Sequence, residues 1–167
     1  MSSMYGIDEP RPFQIEGMNH CAFNDDTYLV IIHPTANGKS LIPLAAASIR
    51  CGVAIVIVPL IGLGSNQVDK PVLLEHNNGE AYHADEMKSV NTKLLCERLL
   101  GATDAEVGNI SVMVYILPQG LSGESSWLKL FEVLAKRGHL SLFCVDKAHN
   151  VEQAGDGFLG WSFKRRY

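Results

Sequence analysis

The sequence has no C-x-x-C pair; its four cysteines, Cys21, Cys51, Cys96 and Cys144, stand far apart. That spacing excludes the usual zinc sites and supplies no disulfide framework, so the thiols read as reduced and close to the core. Positive charge is also in short supply, because 14 Lys and Arg against 18 Asp and Glu leave a formal net charge of -4. Neutralising phosphates requires cations concentrated on one face, which excludes a strongly basic nucleic-acid module and leaves room for a partial footprint. Long hydrophobic runs are missing too: the longest, residues 52–64, is interrupted by Pro59 and falls short of the ~20 residues of a membrane helix. Residues 1–16 mix charges and prolines with apolar residues and hold no continuous apolar stretch. No secretory signal is therefore legible, and the expectation is an intracellular protein of nucleus or cytoplasm, without membrane segments or disulfides. Internal repeats and low-complexity linkers are absent as well.

What is present is enough apolar sequence for one core. With 47% hydrophobic and 19% charged residues, the chain reads as a single domain over residues 1–167. Its end on Lys164, Arg165, Arg166 and Tyr167 reads as a truncation. Residues 28–33, 53–58, 110–117 and 140–145 are rich in β-branched and apolar types, and their near-continuous apolar character predicts buried parallel strands. Helices are predicted over 39–51, 87–100 and 127–137, with apolar residues such as Leu95 and Leu99, or Phe131 and Leu134, at helical spacing. Residues 75–80, 103–109 and 119–126 read as connections. Strand and helix alternate, which predicts an α/β domain on a mainly parallel sheet.

The strongest chemical signal is His33-Pro34-Thr35-Ala36-Asn37-Gly38-Lys39-Ser40, placed between a predicted strand and a predicted helix. Backbone N–H groups of such a loop face phosphates, a lysine meets the β and γ charge, and a hydroxyl holds Mg²⁺. Thr35, Ala36, Asn37, Gly38, Lys39 and Ser40 are the candidate phosphate-binding residues, although His33 stands where the strict pattern has its first glycine. A second element is Asp146, which follows the apolar run Leu142-Phe143-Cys144-Val145. Ligands of open α/β sheets gather at that end of the strands, so Ser40 and Asp146 are the candidate metal residues.

At these residues the chain resembles the RecQ-type members of the DEAD/DEAH-box helicases. Arg11-Pro12-Phe13-Gln14 resembles the family's adenine-reading element, with Gln14 in the position that contacts the base, and residues 34–40 resemble its motif I. Pro59 and Leu60 through Gln67 and Val68 are similar to motif Ia, and Gln119 falls in the glutamate position of the next strand's signature. Asp146-Lys147-Ala148-His149 resembles the DEAH box, and Gln153 lies at the start of a segment similar to the aromatic-rich loop. The resemblance implies a three-layer P-loop NTPase domain of RecA-like fold, with ATP and Mg²⁺ as ligands. It also implies single-stranded or forked DNA as partner, and a second RecA-like domain, in cis or in trans, without which this piece cannot unwind DNA. Pro59, Leu60, Gln67, Gln153, Phe158, Trp161 and Phe163 are the nucleic-acid candidates that it implies, the last three as rings that stack on bases.

The departures from the family pattern bear on turnover. The family's general-base glutamate is Lys147 here, and an ammonium with an ordinary pKa of about 10.4 accepts no proton near neutral pH. Loss of a general base removes ~10²–10⁴ in rate, or roughly 3 to 5 kcal/mol of barrier. Asp146, Lys147 and His149 form the candidate catalytic set, with His149 in the position that links nucleotide and nucleic-acid sites in the family. Ala36 stands in place of a loop glycine and Ala154 in place of a tryptophan. Two readings follow: the ATP-binding half of a helicase motor with impaired hydrolysis, or a degenerate nucleotide-binding module without turnover. A small P-loop kinase would need an Arg-rich lid, and residues 51–160 contain only Arg98 and Arg137. A truncated, inactive product is the remaining alternative. His83 and Glu86 read as solvated residues at a helix start.

Overall fold

In the computed structural model residues 9–24, 29–34, 37–59, 79–121 and 125–146 are described. The apolar run Gly52–Ile57 forms strand β1, and all six of its residues are buried. It can be buried on both faces because it carries no polar side chain, which is the signature of a central parallel strand. Strand β2 is Glu80–His83, β3 is Ser111–Ile116 and β4 is Leu140–Val145. All pairings are parallel and the order is β2-β3-β1-β4.

Parallel neighbours need crossover connections, and among the described residues helices supply those from β2 to β3 and from β3 to β4. Helix α1 is Pro12–Phe23, α2 is Leu41–Arg50, α3 is Ser89–Gly101, α4 is Asp104–Val107 and α5 is Ser126–Lys136. Val53, Ile55 and Ile57 point to the face covered by Leu95 and Leu99 of α3 and Leu130, Phe131 and Leu134 of α5. Ala54 and Val56 point to the other face, where Leu44 and Ala47 of α2 cover them, and α1 packs on α2. The result is the three-layer α/β architecture expected from the sequence.

A register shift between Val53 and Ala54 makes Ser141 an extra residue in β4. This bulge explains why Leu140 and Phe143, three apart, pack on the same core face. The reversal from α2 into β1 is equally tight. Cys51 has φ 54 and Gly52 φ +82, and a Cβ on Gly52 would lie 2.7 Å from the His139 carbonyl oxygen. Only glycine combines that backbone with that approach.

Several expectations are corrected. Residues 29–34 lie outside the sheet, with Val30 80% and Ile32 88% exposed, although 28–33 reads as a strand. Apolar sequence gives strand propensity, but both edges of β1 are taken by β3 and β4, and the segment rests against α1 and α2, where Ile31 and Ile42 flank Gly17. His83 is no solvated helix-start residue: it ends β2 and is 4% exposed. Helix α1 and strand β2 have no counterpart among the expected elements, and helix α4 arises within residues 103–109, read as a connection. For α4 the signal was local, since Thr103 accepts from the Glu106 N–H at 3.3 Å and Glu106 reaches back to the Thr103 N–H at 2.7 Å, a capping box. The four cysteines are free thiols in this structure.

Glu80 of β2 is tied to α3 through two hydrogen bonds from Arg98, one of them Nη1 to Oε1 at 3.0 Å, and accepts from the Tyr82 hydroxyl at 2.8 Å. The Arg98 hydrogen bonds hold the Glu80 carboxyl below its usual range, against partial burial. A folded-state pKa below the unfolded value of about 4.3 gives stability that is complete above that value and lost as pH falls through the folded one. Acid titration of unfolding should therefore show a loss below about pH 4.3 that Arg98→Ala reduces. Gly52→Ala should lower the unfolding free energy by about 2–3 kcal/mol, read as a reduced urea midpoint at constant slope.

Candidate nucleotide site

Helix α2 runs antiparallel to the strands it covers. Only Cys51 separates it from β1, and Ser111 at the amino end of β3 donates its hydroxyl to the Ala47 carbonyl, 3.1 Å away. The start of α2 therefore stands towards the carboxyl ends of the strands, where the loop before it delivers Asn37, Gly38, Lys39 and Ser40. Ser40 is the N-cap residue, and the first turn carries no acidic side chain. The helix thus sets no carboxylate of its own against the positive end of its dipole, an end that favours an anion.

Gly38 adopts φ +73, and a Cβ there would lie 2.7 Å from the Gln14 amide nitrogen. The Lys39 ammonium donates to the carbonyls of His33 and Pro34, each at 2.8 Å, and so spans the loop from end to start. The loop is also fastened to α1. Pro12 opens that helix, and Gln14, only 4% exposed, accepts the Arg11 N–H at 2.7 Å and donates to the Gly38 carbonyl at 2.9 Å. The Arg11 guanidinium donates to the Asn37 side-chain oxygen at 2.5 Å. Phe13 stacks on His33, with ring centroids 3.9 Å apart and planes inclined by 19°.

Asp146 follows β4 directly, and its N–H donates to the Ile57 carbonyl at 2.9 Å, which fixes it beside the carboxyl end of β1. Pro59 sits at the bend after β1, on the same edge. Gln119 lies on the short 3₁₀ turn Pro118–Leu121, and the Leu117 N–H ahead of it donates to the Asp85 carboxylate at 2.8 Å. Below this edge, burial pushes the Cys144 thiol up to about 12, with the Asp146 charge adding to it. Burial likewise raises the Tyr115 phenol. Both therefore stay protonated and neutral under the edge at pH 7.

Of the residues expected from the sequence, Arg11, Gln14, Asn37, Gly38, Lys39 and Ser40 meet at one place, and Pro59 and Asp146 stand on the carboxyl edge of the sheet. Thr35, Ala36, Leu60, Gln67, Lys147, His149, Gln153, Phe158, Trp161 and Phe163 lie outside the described residues. Among the described residues no three His, Cys, Asp or Glu side chains gather as a metal site. The Arg11–Asn37 and Phe13–His33 contacts escaped sequence reading, because each joins residues 20 or more positions apart through a tertiary approach.

A parallel sheet with helices on both faces and a G-K-S loop opening one of them is the architecture of P-loop nucleotide-binding domains. The chain's relatives agree with it. It is 33% identical over 160 residues to "ATP-dependent DNA helicase Q5" of Mus musculus, a match covering 95% of this chain and 15% of that protein. It is 32% identical over 160 residues to "RecQ-like DNA helicase blm-1" of Caenorhabditis elegans, again 95% and 15%. With "RecQ-like DNA helicase BLM" of Xenopus laevis it shares 29% over 158 residues, 92% of this chain and 11% of that one. Similarity at this level, over nearly the whole chain, is thus to RecQ-like DNA helicases, and the chain spans only 11 to 15% of the length of these three curated relatives. No protein-family model matches. Among the described residues no helix is long and apolar enough to cross a membrane.

Gly38→Ala should strain the loop through both its positive φ and the contact with Gln14. A cost of about 1 kcal/mol, seen as a fall in Tm of about 2–4 °C, is expected in a thermal melt.

Proposed function

We propose that this chain is the ATP-binding motor half of a RecQ-like DNA helicase, and that Lys147 impairs its hydrolysis. The observation that carries this reading is the loop of Asn37, Gly38, Lys39 and Ser40 at the start of α2, anchored to α1 by Gln14. ATP and DNA come from the names of the relatives, several of which are ATP-dependent DNA helicases.

In this reading Lys39 exchanges the His33 and Pro34 carbonyls for β- and γ-phosphate oxygens, and the N-terminus of α2 stabilises their charge. Arg11 and Gln14 meet the adenine from the α1 side. The hydroxyl of Ser40 and the carboxylate of Asp146 are hard oxygen donors of the kind that suit Mg²⁺, and they would hold it. When bound, that ion neutralises phosphate charge. The residues of motif Ia and of the aromatic segment, Pro59, Leu60, Gln67, Gln153, Phe158, Trp161 and Phe163, contact single-stranded or forked DNA. A second RecA-like domain completes the motor, and His149 relays between the nucleotide and that domain.

Binding and turnover separate here. Lys39, Ser40 and Asp146 retain the groups that bind, whereas Lys147 cannot accept a proton from the attacking water. The second reading, a nucleotide-binding module that uses ATP as a conformational ligand, rests on that same lysine.

Titration with a fluorescent ATP analogue tests the proposal. Micromolar, Mg²⁺-dependent binding that Lys39→Ala abolishes is the expected result, and absence of binding by both proteins would overturn it. In a protein that also carries the second domain, Lys147→Glu should raise ATP turnover by ~10²–10⁴. No increase would remove Lys147 as the sole lesion.

A further inference from the structure

The loop touches α1 through more than its backbone. Asn37 presents its side-chain oxygen to the Arg11 guanidinium at 2.5 Å, while its carbonyl faces the Gln14 amide at 3.5 Å and that of Gly38 faces it at 2.9 Å. An arginine has donors and no acceptor, so the Asn37 atom that meets it is fixed as Oδ1. The pair is solvent-exposed and 26 positions apart in sequence. An exposed contact of this kind adds little to the core. What it does is set where a long, many-rotamer side chain stands before any ligand arrives.

Arg11 is anchored at its base as well. Its N–H donates to Gln14 at 2.7 Å as the N-cap of α1, and the next residue but one, Phe13, stacks on His33 at the start of the loop. With the backbone of Arg11 fixed by α1 and its guanidinium fixed by the loop, the side chain is defined at both ends. One of those ends is held by the phosphate loop.

We infer that Asn37 is a positioning residue for base selectivity: it holds the Arg11 guanidinium ready for the base of a nucleotide whose phosphates the same loop binds. The inference rests on the reading of the loop as a nucleotide site and names how its two halves communicate. Asn37 acts through Arg11 and needs no contact with the base. Loss of its side chain frees Arg11 to sample other rotamers, which weakens recognition of the base and leaves the phosphate cradle of Gly38, Lys39 and Ser40 in place.

Calorimetric titration of ATP and of inorganic tripolyphosphate into the wild-type chain, Asn37→Ala, Arg11→Ala and the double variant separates the possibilities. Asn37→Ala removes the side chain but keeps the backbone N–H through which this loop position would meet phosphate, so it should weaken ATP about tenfold, equivalent to about 1.4 kcal/mol, and leave tripolyphosphate within about twofold. In the Arg11→Ala background the further Asn37→Ala change should have no effect on ATP, since its route to the base is already gone. Equal weakening of ATP and tripolyphosphate, or additive effects of the two substitutions, would overturn the inference while leaving the phosphate loop intact. A wild-type chain that binds neither compound overturns the phosphate loop itself, and the inference with it.

Discussion

The complete burial of β1 is the constraint on which the other elements depend. Its six residues have both faces covered by helices and both edges hydrogen-bonded to parallel strands. Parallel pairing rules out tight hairpins, so the chain must return across the sheet between strands, and among the described residues it does so through α3 and α4 between β2 and β3 and through α5 between β3 and β4. Leu99, Leu130 and Leu134 pack on one face and Ala47 on the other because Val53, Ile55 and Ile57 alternate with Ala54 and Val56. The small side chains on the α2 face let that helix lie close. The tight reversal at Cys51 and Gly52 then fixes its direction, and with it the end at which the loop emerges.

From that placement the chemistry of the carboxyl edge follows. Ligands of open α/β sheets bind in the crevice outside the carboxyl ends of the strands, and that is the end at which the loop before α2 emerges. Asp146 is set by a backbone bond to β1, and Lys39 and Ser40 by the start of α2. Helix α1 adds a wall to one side of the loop through Gln14, Arg11 and Phe13. The cations Lys39 and Arg11 therefore stand at the same loop in a chain whose formal net charge is -4. Under the proposed function, local concentration of charge, and not its total, is what would suit this surface to a polyphosphate.

Much of the architecture was legible because its signals are local. The runs at 53–58, 110–117 and 140–145 are apolar enough to be strands anywhere in a parallel sheet, and each became one. The helices after residues 39, 87 and 127 carry their periodicity within a dozen residues. The loop was legible for the same reason, since Gly38-Lys39-Ser40 needs only its own backbone to be recognised. The Thr103 and Glu106 capping box of α4 is a local signal of the same kind. The run at 28–33 shows the opposite case: its residues favour a strand, yet residues 29–34 rest on α1 and α2 outside the sheet.

By itself the sequence determined the α/β class and the parallel sheet, and singled out the Gly38-Lys39-Ser40 loop, because hydrophobic period and a contiguous motif are properties of neighbouring residues. Tertiary structure alone decided the strand order β2-β3-β1-β4, the bulge at Ser141, the burial of His83 and the attachment of α1 to the loop. Strand order depends on which edges are already paired when a segment arrives. Burial depends on what packs against a side chain from elsewhere in the chain, and the Arg11–Asn37 bond depends on two segments being brought together by a helix packed on another helix. None of these is encoded at the positions concerned, since each is a relation between surfaces that exist only after the core has formed.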